Sequence, residues 1–101
     1  MNTLKLSKPI MINNEEAKEL QYDFENMTAK DKINASKKMK AAGIAMSIEE
    51  LDPDYHLYLF AEAVCVADKN IMTADVLRMS AKDSQKASAL ARNFFYLDSE
   101  E

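Results

Sequence analysis

Leu57-Tyr58-Leu59-Phe60-Ala61-Glu62-Ala63-Val64-Cys65-Val66-Ala67 is the stretch on which the fold turns, because Glu62 is its only charge. A helix that is apolar nearly all round packs on several sides, so this segment is expected at the centre of a core. It is too short to cross a bilayer, which takes about 20 apolar residues. Upstream, Pro53 breaks any earlier helix within an acidic run of Glu49, Glu50, Asp52 and Asp54, which places the central helix over residues 54–68.

Working back toward the N-terminus, residues 4–24 alternate with a period of two. Leu4, Leu6, Ile10 and Ile12 share one parity, and Leu20, Tyr22 and Phe24 continue it after the polar Asn13-Asn14-Glu15-Glu16. Such alternation makes strands with one buried face, and an Asn-Asn pair tolerates the positive φ of a hairpin turn. Pro9 has no N–H to give to a ladder, which predicts an edge strand or a bulge there. A lone hairpin is marginal in water, so this one must lie on helices or on another copy of itself. From Thr28 the period becomes helical as far as Ala42, with Gly43 as the stop. That helix carries Lys30, Lys32, Lys37, Lys38 and Lys40 against the single acid Asp31, beside a thin apolar line of Ala35, Met39, Ala42 and Met46.

Downstream of the central helix, Thr73 is expected to cap a short turn holding Val76, Leu77 and Met79. Ser80 opens a last helix whose Ala87, Leu90, Ala91, Phe94 and Leu97 form one stripe. The fold class read from these elements is mainly α: a small helical domain of three to five helices with an N-terminal β-hairpin. It is expected as a single domain over 1–101, with the hairpin at 4–24, the helical part at 28–97 and a frayed tail at 98–101.

One short motif is written twice, as Met27-Thr28-Ala29-Lys30-Asp31 and as Met79-Ser80-Ala81-Lys82-Asp83. In each copy a hydroxyl stands three positions before an acid, ahead of good helix formers, which is the pattern of a helix start. Asp31 and Asp83 are therefore read as capping residues rather than as a carboxylate pair.

At 101 residues, with 48% hydrophobic and 30% charged content, the chain can bury one core and no more. A net charge of −4 argues against a broad phosphate-binding surface, and the lysine-rich helix lacks arginine and interleaved aromatics, so nucleic acid is disfavoured. Lone Cys65 fits a reducing compartment, and the start of the chain shows neither a signal peptide nor a span, which makes the cytoplasm the default. Gly43 is the only glycine, and one cysteine and one histidine leave no zinc spacing and no phosphate loop. Cys65 reads as a buried inert thiol and His56 as a surface or capping residue. No catalytic, cofactor or metal site is expected, and no enzyme. Seven methionines stand out, six of them internal, since methionine both fills irregular cores and lines adaptable helix-binding surfaces.

Leu4-Lys5-Leu6-Ser7-Lys8-Pro9-Ile10, a polar turn and second strand, and the helix start at Thr28–Asp31 together resemble the tail assembly chaperones of tailed phages and prophages. Val76-Leu77-Arg78-Met79, the Ser80–Asp83 helix start and the closing Phe94-Phe95-Tyr96-Leu97 are similar to that family's C-terminal part. The resemblance implies a non-enzymatic protein of the bacterial host's cytoplasm, absent from the mature virion. Such a protein binds the tape measure protein and keeps it soluble until the tail tube polymerises. A homo-oligomer is implied, together with contact to the tail tube protein through a longer frameshifted form. The residues expected to bind the partner are Met39, Met46, Met72, Met79, Phe95 and Tyr96. The alternative is a small helical regulator that binds DNA or another protein through the lysine-rich helix 29–42. A weaker third reading is a subunit of an enzyme complex whose chemistry lies in another chain.

Overall fold

Asn13 and Asn14, at φ 52° and 67°, turn the chain between β1 (Asn2–Ile12) and β2 (Glu15–Tyr22). Both turn residues are left-handed, the backbone twist that matches a two-residue antiparallel hairpin. The computed structural model describes residues 1–97, and the expectation for 98–101 lies outside the described residues. After the hairpin come α1 (Ala29–Ala41), α2 (Pro53–Ala67), α3 (Thr73–Val76) and α4 (Ala81–Arg92), which runs into a π-helical turn at Asn93–Leu97.

The class is α+β, not mainly α. The two strands run 11 and 8 residues, about half of the described chain is helical, and the hairpin is one wall of the core rather than an appendage to a helical bundle. Leu4, Ile10, Ile12, Leu20 and Tyr22 all turn their side chains inward from it. Pairing slips once. Leu4 faces Leu20 and Lys5 faces Glu19, but Ile10 faces Ala17, so β1 bulges between Lys5 and Ile10, a stretch that includes Pro9.

The bulge is anchored. Its Ser7 N–H donates to both carboxylate oxygens of Asp83, at 2.9 and 3.0 Å, and its Lys8 N–H donates to Oδ2 at 3.3 Å. The two copies of the repeated motif thus differ in what their aspartates do. Asp31 closes a capping box, accepting the Thr28 N–H at 2.9 Å. Asp83 has its own N–H capped by the Ser80 hydroxyl at 3.1 Å, but its carboxylate is fully buried and serves the hairpin, as a tertiary clamp beyond a cap.

Helix α2 packs against α1, α3, α4 and β2, with Leu59, Phe60, Ala61, Ala63 and Val64 fully buried. Burying Leu59 and Phe60 contributes roughly 1.5–3 kcal/mol each. Asp52 caps this helix and also accepts the Ser47 N–H at 2.9 Å, so it ties down the loop before the helix as well. Tyr22, Phe24, Phe60, Phe94 and Phe95 form an aromatic cluster joining β2, α2 and the C-terminal turn, with ring centroids 5.0–6.3 Å apart along it.

Two local expectations change. Thr73 is the first residue of α3 and not its cap: Asp75 accepts the Met72 N–H at 2.9 Å, and the Thr73 hydroxyl accepts from Lys38 at 3.0 Å. The α4 stripe holds at Ala87 and Ala91 but loses Leu97, which is exposed, because the wider π turn after Arg92 shifts the 3.6-residue register.

Candidate functional site

Helix α1 ends at Gly43, whose φ of 82° is left-handed. The Gly43 N–H donates to Lys40 C=O at 2.9 Å and the Ile44 N–H to Met39 C=O at 3.1 Å, the paired bonds of a Schellman stop. Such a stop brings its last apolar residue back onto the helix. Ile44 and Met39 accordingly share a groove of about 400 Å³ with Ser36, Lys40 and Met46. The lining is mostly apolar and includes no carboxylate.

Of the six residues expected to bind a partner, only Met39 and Met46 line this groove. Met39 is 1% exposed and belongs to the core, so it forms the floor, whereas half-buried Met46 is accessible. Met79 is buried among core residues and offers no surface, which removes it from the contact set. Met72 is exposed but lies at the start of α3, outside the groove. Phe95 and Tyr96 are half-buried and already engaged: Phe95 stands edge-on to Phe24 and Phe94, and the Tyr96 hydroxyl donates to Glu49 Oε1 at 3.0 Å. Sequence reasoning missed Ile44 and exposed Ile33. Ile44 was recoverable, since the apolar residue after a helix-stopping glycine commonly packs back against the last turn.

The five lysines of α1 divide. Lys32 reaches Glu49 at 3.3 Å, and Lys38 lies 2.6 Å from the nearly buried Glu62 Oε2, an oxygen that otherwise has no hydrogen-bond partner among the described residues. Lys30, Lys37 and Lys40 form no ion pair among the described residues. Glu49 is a small hub, taking Lys32 and Tyr96 on its carboxylate and His56 Nε2–H on its carbonyl at 3.0 Å.

His56 is 2% exposed, buried rather than at the surface. Burial holds its ring below the ordinary histidine range, against the opposing pull of the Glu49 carbonyl, so it is neutral and donates from Nε2. Tyr55 beside it is pushed up to about 12 by burial and the Glu49 charge. Cys65 is half-buried rather than fully so, and burial together with the nearby Glu62 charge pushes its thiol up, away from the reactive thiolate. Among the described residues no three His, Cys, Asp or Glu side chains gather to hold a metal ion, and no helix is long and apolar enough to cross a membrane. Compared with family models, curated proteins and solved structures, the chain matches none of them.

Proposed function

We propose that this protein is a non-enzymatic tail assembly chaperone. It acts in the host cytoplasm, self-associates, and holds the helical tape measure protein soluble until tube subunits polymerise around it. The observation that carries this reading is the open apolar groove at Met39, Ile44 and Met46, with Ile33 exposed further back on the same helix, since an amphipathic helix lays its apolar face into such a groove. The order of hairpin, helix start and aromatic close that resembles the family supports it. Two of the five lysines that the DNA-binding alternative needs are taken up by Glu49 and Glu62, which weighs against that alternative. The test is co-expression with the tail genes of the same phage, followed by pull-down of the tagged chain. Tape measure protein recovered in the soluble fraction only when this chain is present is the expected result. Tape measure protein equally soluble without it overturns the reading.

A further inference from the structure

We propose that the partner segment is an amphipathic helix whose apolar strip is flanked by carboxylates, docked on Ile33, Ile44 and Met46 with its acids against Lys37 and Lys40. This rests on the chaperone reading for the partner's identity and adds the chemistry by which the groove selects it.

At 3.6 residues per turn, Lys30, Ile33, Lys37 and Lys40 fall within roughly 80° of arc on α1. All four are exposed, with Ile33 at 53%. They are also the part of the helix that the fold leaves unused, since Lys32 and Lys38 turn to Glu49 and Glu62 while Ala35 and Met39 enter the core. Lys40 belongs to both this ridge and the groove wall, and Ser36, also on the wall, lies next to the ridge on the helix surface, so the basic ridge meets one lip of the apolar groove at Lys40. The charge is local. The chain as a whole is acidic, with 17 Asp and Glu against 13 Lys and Arg, and the cavity beside β2 is lined by Glu15, Glu16, Glu19 and Asp68. A partner drawn to the α1 face is therefore complementary to its lysines, and one with acids at its flanks satisfies both features at once.

From Lys30 to Lys40 the ridge spans about 15 Å, the length of nearly three helical turns, which suits apolar anchors repeating at three and four residues. A nucleic acid would pair with the same lysines but leave Ile33 and the methionine groove against water, and no aromatic side chain lines the groove for a base to stack on.

The experiment uses the whole chain and two labelled synthetic helical peptides of about 18 residues with the same leucine strip, one flanked by Glu and the other by Lys. Fluorescence anisotropy should show the Glu peptide binding about tenfold more tightly at low salt. Ile33→Ser and Met46→Ser should each weaken it by about tenfold. Joint Lys37→Gln and Lys40→Gln replacement should abolish the preference between the peptides. Ile33 is exposed, so its variant keeps the fold, and an unchanged melting curve checks this. Equal binding of the two peptides, or indifference to Ile33→Ser, overturns the proposal. So does short duplex DNA that displaces the Glu peptide, or sedimentation showing that Ile33→Ser merely dissolves a contact between copies of this chain. If the peptides behave as expected while tape measure protein precipitates regardless, the chaperone reading fails and the docking chemistry stands. If the Ile33→Ser chain still keeps tape measure protein soluble, the docking assignment fails and the chaperone reading stands.

Discussion

Asp31 and Asp83 occupy equivalent places in two copies of one motif, and the structure separates them by burial. Asp31→Asn at the exposed α1 start should cost about 0.5–1 kcal/mol, the worth of a surface cap. Asp83→Asn sets an amide nitrogen, at a fully buried position, against the Ser7 and Lys8 N–H groups and should cost about 2 kcal/mol or more, both read by urea denaturation. Burial pushes Asp83 and Asp52 up, but the amide and hydroxyl donors around each outweigh it and hold both below the ordinary 3.8. With the folded value depressed, their contribution is complete above the unfolded value and lost as pH falls through the folded one. His56 is lowered too, from 6.5, with the opposite charge logic: the unfolded state takes its proton first, so stability declines as pH falls below 6.5 toward the folded value. Melting temperatures between about pH 7 and 5 should drop in the parent chain and flatten in His56→Gln.

Among the elements, α1 is held at both ends by local devices and along its length by two ion pairs. Gly43→Ala meets nothing within 4 Å, so its cost is the left-handed backbone alone, about 1–2 kcal/mol by thermal or urea melting. The Lys38–Glu62 pair behaves differently from Lys32–Glu49. Lys38→Met leaves a carboxylate 6% exposed with no counter-charge and should cost about 3 kcal/mol, whereas Lys32→Met, at an exposed pair, should stay under about 1. Equal losses from the two would mean that Glu62 is as hydrated as Glu49. Helix α2 should show the slowest amide exchange, across residues 57–66, because it is the element packed on every side.

For the whole molecule, the hairpin and the helices are tied to one another by several contacts and are expected to unfold together. The Asp23 N–H donates directly to the Ala63 carbonyl at 3.1 Å, Asp83 clamps the bulge to α4, and the aromatic cluster bridges β2, α2 and the C-terminal turn. Removing residues 1–24 should therefore abolish cooperative melting of the helices rather than leave a smaller stable bundle, as monitored by far-UV circular dichroism. A truncated chain that still unfolds in a sharp transition would show the hairpin to be an accessory.

What the sequence determined by itself is what depends on neighbours along the chain. The period-two run, the Asn13-Asn14 turn, the Thr28 and Ser80 caps, the Gly43 stop and the apolar run of α2 are local devices, each needing only a few adjacent residues to act. Tertiary structure decided everything that depends on which groups meet across long separations. It made the hairpin a core wall and the class α+β. It turned Asp83 from a cap into a clamp on residues 75 and 76 positions away. Met39 and Met79 went to the core while Met46 stayed open, and His56 went under the Glu49 carbonyl. The candidate site divides in the same way. Its methionine and lysine content was legible in composition, but the groove forms where Gly43 ends α1 and brings Ile44 and Met46 beside it, and Glu49 and Glu62 decide which of the five lysines remain free of an ion pair among the described residues. Those acids lie well beyond the helix in sequence, so no pattern within α1 could report which lysines would be left over.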